Sequence, residues 1–463
     1  MKTTILHKAA AALLLGAIAL SPAVAKHGGE HSAATYRPDV TFTLKTDIAG
    51  GKLVFVGQGG TIDGKVNPDL KVAEGAVVQI NLVNGDGAIH DIALPDFGVD
   101  SDDISGKGAS TAVVFRAEKN GEFKYICSLP GHVAAGMIGK LIVGDGAAKP
   151  APKGLDVSAN PMEVGKPVGK RGPQKLTVNL ETTEVVGQLA DGQTYKYWTF
   201  NNKVPGPFIR VRVGDTVTVN MENAKDSAHI HSVDFHAVTG PGGGAAVTQA
   251  APGQTKSFTF KAINPGLYVY HCATPMVAQH ISNGMYGMIL VEPEGGLEKV
   301  DREFYVMQGE LYTNQRHGTH GHHEFNLEKL LDERPEHFTF NGSTDALKKN
   351  PLKAKVGETV RIYFGVGGPN ATSSFHVIGE VFDKVFDQAS LTSPPLTNVQ
   401  TTTVAPGGAT VVEFKVDYPG KYLLVDHALS RLEKGLAGIL HVEGKADPSV
   451  FYTNEKHDPN SGH

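Results

Sequence analysis

Two cysteines occur in 463 residues, and each sits in a short loop that also carries a histidine and a methionine. Residues 268–287, YVYHCATPMVAQHISNGMYG, hold Cys272 with His271 directly before it and His280 and Met285 downstream. Residues 127–137, CSLPGHVAAGM, hold Cys127, His132 and Met137. A thiolate, an imidazole and a thioether on one loop, joined by a second imidazole from elsewhere, form the donor set of an electron-transfer copper. The segment HSVDFHAV upstream of Cys272 offers more imidazoles, His231 and His236, together with Asp234. Neighbouring residues on a strand point to opposite faces. Cys272 can therefore face one metal while His271 faces another, which would join two metal sites through covalent bonds alone.

Three ligand sets follow. His90, Cys127, His132 and Met137 form the first. In the second, Cys272, His280 and Met285 combine with an upstream histidine, for which His229 and His231 compete. Met285 follows His280 by the same five residues that separate Met137 from His132, which selects it over Met276. The third set is His236, His271 and His427, where three neutral imidazoles leave the open position that a catalytic metal needs. Asp234 and His376 are candidates for proton delivery, since Asp234 lies two residues from His236 and shares its strand face. The run RHGTHGHH (His317, His320, His322, His323) reads as a solvated loop, and His27 and His31 as part of a flexible end.

These loops recur because the chain repeats. EGAVVQINL from Glu74, VGDTVTVNM from Val213 and VGETVRIYF from Val356 each open a copy with a glycine and an alternating β pattern. Each copy then reaches a histidine (His90, His231, His376), an aromatic strand (GEFKYICS, GLYVYHCA, GKYLLVDHA) and a closing strand (GMIGKLIV, GMYGMILV, GLAGILHV). At the cysteine position stand Cys127, Cys272 and Asp426, and at the methionine position Met137, Met285 and Leu436. The third copy has thus lost the electron-transfer donors, although it gains His427. Only the second copy has a histidine before its cysteine; the first has Ile126.

The 55 glycines, 26 prolines and many short Val/Ile/Thr/Tyr runs predict an all-β chain of three tandem Greek-key β-sandwiches. The expected boundaries are 26–146, 174–296 and 297–446, with a Pro/Gly/Lys-rich linker at 147–173 and a polar tail at 447–463. An insertion in the third copy contains NLEKLLDERPEH, read as a short helix capped by Asn326 and stopped before Pro335. Residues 1–25 read as a signal peptide with a basic start, a short apolar run and the small-residue site AVA ending at Ala25. That run is too short to span a bilayer, and no other approaches membrane length. An exported, periplasmic protein with no membrane span is expected. Charge is mixed, 43 basic against 48 acidic residues, without the basic block that nucleic-acid binding requires.

Residues 174–444 resemble a copper-containing dissimilatory nitrite reductase, on the motifs HSVDFHAV, YHCATPMVAQHISNGMYG, FHVIG and LVDHALSRLEKGLAGILHVEG. The resemblance implies cupredoxin-like domains. It implies a type 1 copper on His231, Cys272, His280 and Met285, and a type 2 copper on His236, His271 and His427. Asp234 and His376 become the proton-handling pair, and Ile378 caps the substrate pocket. It further implies a homotrimer, or a higher assembly of trimers, with His427 reaching the type 2 site from a neighbouring subunit. The substrate would be nitrite and the electron donor a small periplasmic cytochrome c or cupredoxin. Residues 26–146 are similar to a plastocyanin-like cupredoxin, as in an N-terminally extended subclass, giving two type 1 coppers and one type 2 copper per chain. The alternatives are a multicopper oxidase and a cupredoxin electron carrier without turnover. The first expects a histidine on both sides of the cysteine, whereas Cys272 is followed by Ala273. The second predicts two coppers rather than three.

Overall fold

Alternation of apolar and polar residues dominates the chain, and it settles into paired sheets. In Thr216–Asn223, Val217, Val219 and Met221 are buried while the threonines and asparagine between them are half-exposed; one face of the pleat meets the core. A computed structural model describes residues 38–117, 119–144 and 153–454. The signal peptide, His27 and His31, residues 145–152 and the tail beyond residue 454 lie outside the described residues. Among the described residues no helix is long and apolar enough to cross a membrane.

The chain divides into two compact units, Met1–Ala147 and Ala148–His463. In the first, the strands Lys52–Gln58, Val40–Ala49, Val77–Val83 and Ser110–Arg116 form one sheet. The other runs Leu70–Val72, Ile138–Val143, Gly121–Ile126, Ala93–Leu94 and Val99–Asp100. Leu44, Val78 and Ile80 from one sheet share a core with Tyr125, Leu141, Cys127 and Met137.

The second unit holds two more such sandwiches. One packs the sheet around Lys175–Ala190 and Thr216–Asn223 on a four-stranded sheet containing Gly266–His271 and Tyr286–Glu292. Its core encloses Cys272 and Met285. The other pairs the sheet around Thr359–Gly368 with the sheet of Gly420–Asp426 and Ser373–Ile378. A separate core of Tyr197, Tyr286, Met288, Tyr305, Met307 and Tyr363 joins the two sandwiches. Gly367 is needed there, because a Cβ would lie 2.6 Å from the Tyr286 ring.

Three expectations meet the structure here. The stretch read as a linker is packed over much of its length: Leu155 donates its N–H to Val186 and accepts from Gln188, and Val157 is fully buried. The insertion helix is short, Leu327–Leu331, with the Asn326 side chain accepting from Lys329 N–H as expected. The histidine run is not a solvated loop throughout. Gly321–His323 adds a strand beside Gln193–Phe200, so that His323 turns inward while His322 stays exposed. The His323 and His317 rings each lie 5.1 Å from that of His337, and His323 and His337 are fully buried.

That cluster has a pH signature. Burial holds His337 well below its ordinary value, and burial, then the neighbouring His323, lowers His317. In the unfolded chain each titrates near 6.5, so the unfolded state binds more protons just below that pH. Stability is therefore complete above about pH 6.5 and falls as pH drops, approaching about 1.4 kcal/mol per pH unit for the buried His337 and less for the more exposed His317. Denaturant melts from pH 7 to 5 should show this slope, and His337→Gln should flatten it by about one proton. An unchanged slope in the variant would count against the assignment.

Candidate metal centres

Three groups of ligand atoms converge among the described residues: His90, Cys127 and His132; His231, Cys272 and His280; and Asp234, His236 and His271. The first two have matching geometry. Cys127 Sγ is 3.1 Å from His132 Nδ1 and 4.0 Å from His90 Nδ1. Cys272 Sγ is 3.2 Å from His280 Nδ1 and 4.0 Å from His231 Nδ1. The loops are tied alike: each cysteine N–H donates to the methionine carbonyl, and each methionine N–H to the histidine carbonyl. Met137 and Met285 are both fully buried.

His229 is drawn elsewhere. Its Nδ1 lies 3.0 Å from Glu184, a buried carboxylate on the neighbouring strand, and His231 takes the place beside Cys272. The single tryptophan, Trp198, lies against His229, His231 and His280, with ring centroids 4.4, 5.7 and 4.6 Å away. Neither Glu184 nor Trp198 stands out in the sequence, because both reach the site through strand pairing.

The donor chemistry fits a soft cation. Burial pushes the Cys127 thiol up to about 11 and raises Cys272 as well. Burial also drives His231 down to about 4 and His280 to about 3, so both are neutral. The Nδ1 atoms of His231 and His280 face each other at 3.3 Å. Two neutral imidazoles and a thiol converging in a dry site want a shared positive charge, and a bound cation deprotonates such a thiol outright.

The third group lies on the opposite face of the same strand. Asp234 pairs with His271 in register. His271 Nδ1–H donates to the Cys272 carbonyl at 3.0 Å, which leaves Nε2 pointing at His236 Nε2, 3.1 Å away. Asp234 Oδ2 is 4.0 Å from His271 Nε2. His427 is not a member of this group. It is exposed, with its ring 5.7 Å from that of His376. His376 Nδ1–H donates to the Gln400 carbonyl at 2.6 Å, and Ile378 shares its strand face. One chain thus holds these residues in two separate groups.

Strand register corrects the repeat. Asp234 opposes His271, and Ala93 opposes Ile126, in each case the residue before the cysteine. In the third sandwich His376 opposes Val425, the residue before Asp426. His376 therefore matches Asp234, not the ligand His231, whose place belongs to Ser373. An ion pair stands where the other two sandwiches bring Cys and His together: Arg431, five residues after Asp426 as His132 is after Cys127, donates to Asp426. The Ser374 N–H donates to Asp426 at 3.0 Å, as its counterpart Ser232 does to Cys272 Sγ at 3.4 Å.

Sandwiches of this kind, with a Cys–His–Met loop at one end, define the cupredoxin fold. A model described as copper binding proteins of the plastocyanin/azurin family matches residues 43–144, and models described as multicopper oxidase match 181–296 and 319–445. The copper-containing nitrite reductase of Neisseria meningitidis is 52% identical over 297 residues, which is 64% of this chain and 76% of that protein. The one from Alcaligenes xylosoxydans is 34% identical over 60% of this chain and 88% of its own. A solved copper nitrite reductase from Nitrosomonas europaea aligns with a TM-score of 0.52 at 33% identity, covering 59% of this chain and 96% of that one. A solved multicopper oxidase aligns with a TM-score of 0.53 at 25% identity, over 64% and 100%. The chain belongs to the copper-containing nitrite reductases; the oxidase is the weaker reading.

Proposed function

We propose that this chain reduces nitrite by one electron and two protons to nitric oxide and water, at a three-imidazole copper built from His236, His271 and His427. Two further coppers are held by His90, Cys127, His132 and Met137, and by His231, Cys272, His280 and Met285. The observation that carries this reading is the Cys272–His271 pair, whose side chains enter different ligand groups from adjacent backbone positions. When bound, copper supplies one-electron transfer at the thiolate sites and a Lewis-acidic electron donor at the imidazole site. Every other part is played by side chains. His271 is locked by its hydrogen bond to the Cys272 carbonyl, so its ring stays aimed. Asp234, with Oδ2 4.0 Å from His271 Nε2, stands beside the His236–His271 pair in position to relay a proton. His376, oriented through Nδ1, offers Nε2 for the second proton. Ile378 presents an apolar surface that excludes water from the pocket.

The separation of the half-sites supports completion of each site by a second copy of the chain, in a homotrimer or an assembly of trimers. Domains at 26–146, 174–296 and 297–446, export to the periplasm and a small cytochrome c or cupredoxin as donor complete the proposal. A mixing experiment tests the shared site. His236→Ala and His427→Ala homo-oligomers should each be inactive. In a cyclic assembly co-expressed at equal amounts, about a quarter of the sites recover both intact halves. Mixed assemblies with no more activity than either parent would rule out sharing.

A further inference from the structure

We propose that Asp86 and Asp91 hold the Cys127 copper site at a lower reduction potential than the Cys272 site, so that an electron shared between the two settles on the second. The inference rests on the copper reading of both clusters. His90 turns Nδ1 toward Cys127 Sγ, and its Nε2–H meets Asp86 at 2.9 and 3.0 Å. The Asp86 side chain is only 7% exposed, and it also accepts the Ala88 N–H at 2.8 Å. A carboxylate on the outer nitrogen of a ligand imidazole makes the ring a stronger donor. That favours the more highly charged, oxidised ion. Asp91, 2% exposed, places a second carboxylate beside the site, accepting from the backbone N–H and hydroxyl of Ser128, which follows Cys127.

The Cys272 site differs on each count. Ser232 occupies the position of Asp91, so no carboxylate stands there; the backbone N–H of each residue donates to its cysteine sulfur, at 3.4 Å for Cys272, and that contact cancels. The nearby carboxylate, Glu184, acts on His231 Nε2 more weakly, from 3.6 Å against the 2.9 Å of Asp86 on His90. Its charge is divided among the Ala228 and His229 N–H groups, His229 Nδ1 and Lys196. His280 is 3% exposed whereas His132 is partly open. A drier site disfavours the more charged ion. All three differences act with one sign, while the buried methionines and loop hydrogen bonds are alike and cancel. The step is bare electron transfer: the cuprous ion of the first site is oxidised, the cupric ion of the second is reduced, and no bond or proton moves. The first domain then acts as an electron store that discharges toward the second site.

Spectroelectrochemical titration of the copper-loaded full chain tests this. Cys272→Ser reports the thiolate–copper band of the first site alone, and Cys127→Ser that of the second. With one electron per pair, the reduced second site should outnumber the reduced first by more than about tenfold, which is a gap above about 59 mV. Asp86→Asn should raise the first potential, cut that ratio by about tenfold and leave the second potential in place. A first site with the higher potential, or an Asp86→Asn chain whose first potential is unmoved, overturns the proposal. If Asp86→Asn loses the first band, Asp91→Asn provides the same comparison, with the second-site band as a check on folding. A folded Cys272→Ser chain with no thiolate–copper band would instead reject the copper reading itself.

Discussion

His271→Ala is expected to abolish nitrite turnover while both thiolate–copper bands remain. The Nε2 of His271 lies 3.1 Å from His236 Nε2, and its Nδ1 is tied to the Cys272 carbonyl. Alanine removes a ligand, the link to Cys272 and the partner of His236 at once. Disturbing a residue that merely orients a ligand costs about 10–100-fold. Loss of the ligand itself should exceed about 100-fold in turnover. Cys272 should be little affected, because its neighbours Ser232, His231 and His280 lie on the other face of the strand. The measurement is copper counting with electron paramagnetic resonance on wild type and variant. The count should fall by one per chain, with loss of the signal that is not of the thiolate kind. If that signal persists unchanged, His271 is not a ligand and the account of catalysis fails with it.

How far the sequence foretold this site depended on whether a ligand lay on one loop or across a sheet. Cys127, His132 and Met137 were readable because one eleven-residue loop carries them, and Cys272, His280 and Met285 because one fourteen-residue loop does. The choice between His229 and His231 was not readable from spacing; only the family resemblance favoured His231. That choice is made by Glu184, some 45 residues upstream in the chain and hydrogen-bonded to His229. Taking a histidine downstream of each copy's opening strand aligned His376 with His90 and His231. Those intervals cross loops of unequal length, whereas the pairing of His376 with Val425 is fixed by backbone hydrogen bonds. The burial of His323 escaped notice because composition ignores strand alternation, and His337, which packs on it, lies in another element. Asp86 did leave a signal, an acid four residues before a ligand histidine in the same loop. The ion pair of Asp426 and Arg431 left one too, an acid and a base at the five-residue spacing of the lost Cys and His.

Cys272→Ser and Cys127→Ser should have opposite consequences, although their sites match within about 0.1 Å in sulfur-to-nitrogen distance. Serine keeps the shape but removes the soft thiolate that favours copper and carries the electron. In Cys272→Ser the third site stays intact, because His271 and His236 do not touch the sulfur. Turnover with an artificial donor should still fall by more than about 100-fold, since the covalent route into His271 begins at that sulfur. This exceeds the cost of disturbing a ligand's support. The first domain has Ile126 where the second has His271, so no imidazole leads away from Cys127 along its strand. Cys127→Ser should therefore leave turnover with an artificial donor within about twofold of wild type, inside the scatter expected of an uninvolved residue. The two variants are compared under the same donor, with copper counted in each. Complete loss of activity in a folded Cys127→Ser chain that retains its third copper would mean that electrons must enter through the first domain. The short route from Cys272 to His271 would then be the last step of an obligatory chain rather than the whole of it.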